Sequence, residues 1–332
     1  MGLSDQTGLG SAAPKRMKAF PVGRRGVLLP LDDRRTAALG ICLYTASKPF
    51  VVALQGAAHR LVRVAGSRGL PGRTELWHPP GSPVAWRSLV ATWQDALGPF
   101  DGLALYRRRQ QARTGLTLLL TREGKALAVV KLREHGDCAL EVEQAALEVA
   151  ARFQPRSFRT PRPLGTGVVD QFSWSAQEAV FSAPHKPVLR AGPELFEELS
   201  ACLRGFAFER SSDAARPEDS TPGPATAHND LTPWNLRRDR SGRVWLFDWE
   251  DVGPAPQDSD RAYFFATARS LGGAPMPADL PAQAVEHSRL LVNIRNSSNP
   301  EDAEFQRSLL DALDEADDAR RTVDPPGLAC RQ

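Results

Sequence analysis

The chain has 332 residues, of which 42% are hydrophobic and 24% charged, and its formal net charge is +3. That length and apolar content suffice for one large core or two moderate ones, and they exclude disorder as the general state of the chain. The small net charge hides an asymmetry: thirteen Lys and Arg stand against five Asp and Glu in the first hundred residues, which leaves about −5 for the remainder.

A basic amino-terminal third can meet an acidic partner or a membrane surface, but such an excess is commonly solvated surface, and we read it so. The chain has no Lys/Arg block interleaved with aromatics, so no nucleic-acid partner is expected. Cys42, Cys138, Cys202 and Cys330 are scattered without CxxC spacing or a nearby His pair and read as reduced thiols. The first residues lack the apolar core of a signal peptide, and Gln6 stands where a myristoylation motif needs Ser or Thr. The longest apolar runs, around Leu116 to Leu120 and Ala126 to Val130, are too short to cross a bilayer. The expectation is a cytoplasmic protein with no stable membrane insertion.

In chain order, residues 1–20 are Gly/Ser/Lys-rich without periodicity and are expected to be disordered. Residues 21–100 read as a helical extension and linker. Asp32 or Asp33 caps a helix ending near Tyr44, and Val51 to Val64 places Val52, Leu54, Ala58, Leu61 and Val62 on an apolar face with His59, Arg60 and Arg63 opposite. Gly66 to Pro83 is rich in Gly and Pro and reads as a loop. The period then changes: Leu103 to Tyr106, Leu116 to Thr121 and Ala126 to Leu132 predict a three-strand meander with a turn at Gly124. A helix follows from Leu140 to Phe153, and prolines at 155, 161 and 163 precede strand-like pieces near Val168 and Ala179. Leu195 to Phe208 predicts a helix, and Ser211 to Ala225 reads as an exposed loop.

The chemistry begins at Ala227-His228-Asn229-Asp230-Leu231-Thr232-Pro233-Trp234-Asn235, spaced HxDxxxxN. A Gly242 turn then leads to an apolar strand ending in Asp248-Trp249-Glu250. Phosphoryl transfer needs a carboxylate beside the attacking hydroxyl and oxygen ligands for the Mg²⁺ that bridges the nucleotide phosphates. Asp230, Asn235 and Asp248 are side chains of those kinds. An isolated HxDxxxxN arises by chance in roughly one chain in a hundred, so the following strand and acidic residue carry much of the signal.

With these residues in place, the segment from about 100 to 290 resembles the aminoglycoside phosphotransferase and choline kinase family, small-molecule relatives of the protein kinases. The resemblance implies that Asp230 orients the acceptor hydroxyl, that Asn235 and Asp248 bind Mg²⁺, and that His228 braces the loop. It also implies a Lys on the third strand that meets the nucleotide phosphates and a helix Glu that holds it. Lys131 stands at that strand end, and among Glu141, Glu143 and Glu148 the family pattern favours Glu143. The backbone near Ala179 is the expected contact for the nucleobase. Asp260 matches an Asp that braces the loops in the family, with an ordinary helix cap as the alternative. One departure stands out: Arg107 to Gly115 contains a single glycine where protein kinases carry a Gly-rich loop.

The expected fold is a protein-kinase-like bilobal α+β domain, with a small lobe at 101–182, built of an antiparallel sheet plus a helix, and a mainly helical large lobe at 183–332. The expected activity is transfer of the γ-phosphate of ATP or GTP, with Mg²⁺, to a hydroxyl of a sugar, amino alcohol or antibiotic. The alternative is a nucleotide-binding scaffold without turnover.

Overall fold

The computed structural model describes residues 13–21, 26–107, 115–211, 225–298 and 303–323. The readings made above for the loop after Arg107, for residues 212–224 and for Cys330 lie outside the described residues. The chain divides into two compact units, the first comprising residues 1–147, 161–186 and 238–243, and the second residues 148–160, 187–237 and 244–332. Both helices and antiparallel sheet are present, so the fold is α+β.

The first unit contains β1 (Lys15–Phe20), β2 (Gly26–Pro30), α1 (Arg34–Gly40), α2 (Pro49–Ala65), β3 (Thr74–Trp77), α3 (Pro83–Leu97), β4 (Gly102–Arg107), β5 (Leu116–Arg122) and β6 (Lys125–Glu134). The start of α4 (Ala139–Phe153), β7 (Pro163–Val169) and β8 (Phe172–Glu178) complete it. The eight strands form one sheet in the order β3-β1-β2-β4-β5-β6-β8-β7. Every strand of β4, β5, β6 and β8 pairs antiparallel with its neighbour, and Lys131 lies opposite Thr117 on one side and Ser175 on the other.

Alternation along these strands assigns residues to two covered faces. Leu103, Leu105, Leu118, Leu120, Val130, Leu132 and Trp174 enter one core, in which Trp77, Trp86 and Trp93 stack edge to face at 5.6 and 5.7 Å. Ala104, Leu119 and Val129 enter the core on the other face with Leu39, and Ala179 packs against it. Burial on both faces explains why these strands read as nearly continuous apolar runs. Lys131, two residues from Val129, therefore shares Val129's face.

Three expectations are corrected here. Residues 15–20, expected to be disordered, form β1, because Met17, Ala19 and Phe20 are buried and the backbone pairs with β2 and β3. The stretch read as a loop from Gly66 to Pro83 contributes β3 to the sheet edge. On α2 the buried set is Gln55, Ala58, His59 and Val62, while Leu54 and Leu61 are half exposed. On the buried face Ala58 and Val62 join the core with Val27, Leu29 and Ile41, and the Gln55 amide donates to the carbonyls of Ile41 and Tyr44.

The second unit contains the rest of α4, α5 (Pro193–Ser211), β10 (Ala225–Ala227), β12 (Val244–Leu246), β13 (Gly253–Ala255), α6 (Ser259–Ser270), α7 (Ala282–Ser298) and α8 (Ala303–Val323). Two short strands at its boundary, β9 (Lys186–Pro187) and β11 (Leu236–Arg238), join β12 in a small sheet, and β10 pairs with β13. The helices α6, α7 and α8 enclose a core built from Ala262, Tyr263, Ala266, Val285, Val292, Leu309 and Leu313.

A close approach in the first unit yields a stability prediction. A Cβ added at Gly40 would lie 2.6 Å from the Ala104 Cβ and 2.7 Å from Leu29 Cδ2. Gly40→Ala gains up to about 1 kcal/mol of helix propensity, but overpacking against the sheet costs about 1–3 kcal/mol. The variant is expected to unfold at lower urea concentration than wild type. An unchanged or raised midpoint would show that α1 shifts freely on the sheet.

Candidate active site

In the first unit, Lys131 Nζ is 2.6 Å from Glu143 Oε1 on α4, and both side chains are almost fully buried. Burying an ion pair costs several kcal/mol per ion before the attraction is counted, so close geometry is required to hold it. The strand supplies that geometry, because residue parity directs Lys131 to the Val129 face. Ala179 follows β8, and its N–H faces the Leu127 carbonyl at 3.5 Å. Gly115, just past the undescribed 108–114 stretch, approaches Arg133 so closely that an added Cβ would lie 2.1 Å from Nη1.

In the second unit, the loop from His228 to Asn235 is fixed largely by its own polar groups. Asn229 adopts a left-handed conformation with φ of 59°, which Asn tolerates better than most residues. Its amide donates to the carbonyls of Asp251 and Gly253, and its Oδ1 lies 3.0 Å from His287 Nε2 on α7. The Asn235 amide donates to both the carbonyl and Oδ2 of Asp230, the latter at 2.8 Å. The Phe247 N–H donates to the Asn235 carbonyl, tying the loop to the strand end that carries Asp248. Asp248 is itself left-handed, with φ of 61°. After it, Trp249 is fully buried, donates from its indole to Leu246 and packs edge-on against His228 at 5.0 Å.

His228 is buried, and burial pushes its imidazole down to about 4, although the carboxylates of Asp248 and Asp251 favour the charged form. The ring is therefore neutral near pH 7. Its Nδ1 receives the Asp230 N–H at 3.3 Å, which leaves Nε2 to donate to the Phe247 carbonyl at 3.2 Å. Asp260 does not cap its own helix: its two oxygens accept the N–H groups of His228 and Asn229 at 2.7 and 2.9 Å. Burial nevertheless pushes its carboxyl up to about 6.

The structure adds residues that the sequence reading passed over. Arg295, near the end of α7, donates from Nη1 to Asp230 Oδ1 at 2.7 Å and to the Tyr263 hydroxyl. From Nη2 it donates to the Asn229 carbonyl and to Asp251 Oδ2, each at 3.0 Å. The guanidinium also lies over the Tyr263 ring at 5.0 Å. Burial opposes its charge, but Asp230, Tyr263 and Asp251 outweigh that effect and hold Arg295 more firmly protonated than an ordinary arginine. A basic residue in the last helical turn was the available signal, and it is too common to single out Arg295.

Of the residues expected from the sequence, the second unit thus brings Asp230, Asn235, His228 and Asp260 into one hydrogen-bonded loop and places Asp248 on the adjoining strand end; the first unit pairs Lys131 with Glu143. The Asn235 amide nitrogen is committed to Asp230, and Asn235 Oδ1 and the Asp248 carboxylate are hard oxygens of the kind Mg²⁺ takes.

No family model and no curated protein matches this chain. Among solved structures, it is similar to spectinomycin phosphotransferase in complex with ADP and spectinomycin, at 9% identity and a TM-score of 0.45 over 71% of this chain and 98% of that one. An aminoglycoside phosphotransferase in complex with GDP and kanamycin gives 11% identity and a TM-score of 0.41, covering 71% and 99%. A fructosamine-3-kinase from Haemophilus somnus gives 12% and 0.38, covering 69% and 97%. Among the described residues, no helix is long and apolar enough to cross a membrane.

The shifts of His228 and Asp260 oppose one another in acid. The folded pKa of His228 lies below its ordinary 6.5, so the stability contributed by the neutral ring is complete above that pH and is lost as pH falls toward 4. The folded pKa of Asp260 lies above its ordinary 3.8, so its contribution is complete below that value and is lost as pH rises through 6. Asp260→Asn removes the second effect and leaves the first. Between pH 6.5 and 4 the variant is expected to lose up to about 3 kcal/mol more stability than wild type does. Urea unfolding at several pH values measures this difference, and parallel slopes for the two proteins would exclude it.

Proposed function

We propose that the chain is a nucleotide-dependent phosphotransferase that moves the γ-phosphate of ATP or GTP to a hydroxyl of a small molecule, and that it belongs with the aminoglycoside phosphotransferase-like kinases. The observation that carries this reading is the construction of the 228–248 segment. Asn235 commits its amide N–H groups to Asp230 and keeps its carbonyl oxygen for a hard cation, next to the strand end that displays Asp248. The buried Lys131–Glu143 pair supports it, since a strand Lys held by a helix Glu is a means of meeting nucleotide phosphates.

In this reading Asp230 accepts a hydrogen bond from the acceptor hydroxyl, orients its oxygen toward the phosphorus and takes the proton late in the transfer. Its Oδ1 and Oδ2 each accept one strong bond, from Arg295 and Asn235, which prevents rotation of the carboxylate. Asn235 and Asp248 hold Mg²⁺, which when bound neutralises charge on the nucleotide phosphates. Lys131 contacts those phosphates, and Glu143 fixes its ammonium. The backbone near Ala179 meets the nucleobase. His228, neutral and bonded through both ring nitrogens, braces the loop and does not act as a base; Asp260 anchors the loop amides.

The reading separates two roles that one experiment compares. Asp230→Asn is nearly isosteric and is expected to keep Mg²⁺-nucleotide affinity within a few-fold while acceptor phosphorylation falls by about 10²–10⁴. Asp248→Asn is expected to weaken metal-nucleotide binding itself. Nucleotide titration with and without chelator, and ADP release over a panel of sugars and amino alcohols, give the two readouts. A wild type that binds nucleotide equally well in excess chelator would remove the metal assignment. One that binds nucleotide but transfers phosphate to no acceptor, with Asp230→Asn unchanged, would leave a binding scaffold.

A further inference from the structure

The four Nη hydrogens of Arg295 have four acceptors: Asp230 Oδ1, the Tyr263 hydroxyl, the Asn229 carbonyl and Asp251 Oδ2. A guanidinium so committed has only Nε left to offer a ligand. It is the wrong arrangement for gripping a substrate anion and the right one for fixing its neighbours. Its planar fork matches two carboxylates and a carbonyl in a way that the single ammonium of lysine cannot.

The acceptors come from separate parts of the second unit: Asn229 and Asp230 from the loop, Asp251 from the turn after Asp248, and Tyr263 from α6. Arg295 stands on α7, which makes a second polar contact with the same loop where His287 Nε2 meets Asn229 Oδ1 at 3.0 Å. The side chains of His287 and Arg295 thus hold consecutive loop residues. Asp230 and Asp251 are like charges that the one guanidinium keeps within hydrogen-bond distance of itself, and carboxylates so placed repel one another when it is removed.

We propose that Arg295 is a positioning residue through which α7 clamps the loop and fixes the orientation of the Asp230 carboxylate. The inference rests on the phosphotransferase reading for its kinetic consequence, while the clamp itself is a statement about the fold. In this proposal Arg295 contributes no direct contact to nucleotide or acceptor. It acts through Asp230.

The test compares wild type with Arg295→Gln, Arg295→Lys and Arg295→Ala. With the acceptor that the panel yields, Arg295→Gln is expected to lose about 10²–10³ in kcat while nucleotide affinity stays within a few-fold, because the damage falls on orientation and not on metal or nucleotide binding. Arg295→Lys keeps the charge without the fork and is expected to retain less than about a tenth of wild-type kcat. Guanidinium ion at tens of millimolar is expected to restore part of the turnover of Arg295→Ala and none of that of Arg295→Lys. Amide hydrogen exchange over residues 228–235 supplies a readout that needs no turnover: it is expected to quicken in Arg295→Gln while exchange in the first unit stays as in wild type. Wild-type kcat in Arg295→Gln, or unchanged exchange in that segment, would overturn the proposal. A wild type without any turnover would defeat the functional reading instead, and the exchange measurement would still decide whether Arg295 clamps the loop.

Discussion

The second unit depends on one interaction, the acceptance of two consecutive loop amides by the buried carboxylate of Asp260. A carboxyl in that position is pushed toward its neutral form by burial, and the N–H groups of His228 and Asn229 oppose that push. In return the loop gains a fixed start, which lets Asn229 keep a left-handed backbone and turns the chain so that Asp230 follows with its N–H on His228. The loop buries Leu231 and packs Trp234 against Phe305, and hydrogen bonds to Asp260 and from Asn235 and Arg295 fix the orientation of its polar groups. Low local dielectric strengthens each bond and makes each missing partner costly. Asp260 and His228 are thus linked through one backbone hydrogen bond, and their protonation preferences are set in opposite directions by the same burial.

The first unit obtains its order differently. Its strands are covered on both faces, so the position of Lys131 is decided by parity against Val129 and Val130 and by the register with Thr117 and Ser175. The tryptophans of β3 and α3 fill one side, while α1 approaches the other closely enough to require glycine at position 40. A buried lysine on such a sheet is tolerated because Glu143 is placed on α4 to meet it.

What could be read from the sequence follows from how local each feature is. The spacing of Asp230 and Asn235 lies within one loop and Asp248 within one hairpin of it, so a short motif disclosed them. Lys131 and Glu143 are twelve residues apart on consecutive elements; the strand-to-helix pattern left Glu141, Glu143 and Glu148 open, and the family resemblance singled out Glu143. Arg295 contacts Asp230 across 65 residues, and nothing in the sequence of α7 marks it out. The edge strands were hidden for another reason: β1 carries Lys15, Arg16 and Lys18, and a basic, Gly-flanked segment resembles a solvated leader until pairing with β2 and β3 is seen. Lys18 is buried there because its ammonium reaches the Gly72 carbonyl. On α2 the apolar pattern placed Ala58 and Val62 correctly, but the buried face is rotated to take in Gln55 and His59 and leaves Leu54 and Leu61 half exposed. The apolar pattern carries no signal for the Gln55 bonds to the Ile41 and Tyr44 carbonyls.

The acidic character of the second unit ties these features together. Asp230, Asp248, Glu250, Asp251 and Asp260 fall within a short stretch of chain, and carboxylates concentrated in this way destabilise one another unless cations or N–H groups intervene. Three kinds of neutralisation are present or proposed. Asp260 is matched by backbone amides, Asp230 and Asp251 by the guanidinium of Arg295, and Asp248, in the proposed function, by a bound divalent cation. Each suits a different role. Amide donors are fixed in the backbone and suit an anchor. A guanidinium fork reaches several oxygens at once and suits a carboxylate that has to keep its orientation. A metal ion arriving and leaving with the nucleotide, as the proposed function has it, would suit a carboxylate at a strand end, where Asp248 stands in a left-handed turn.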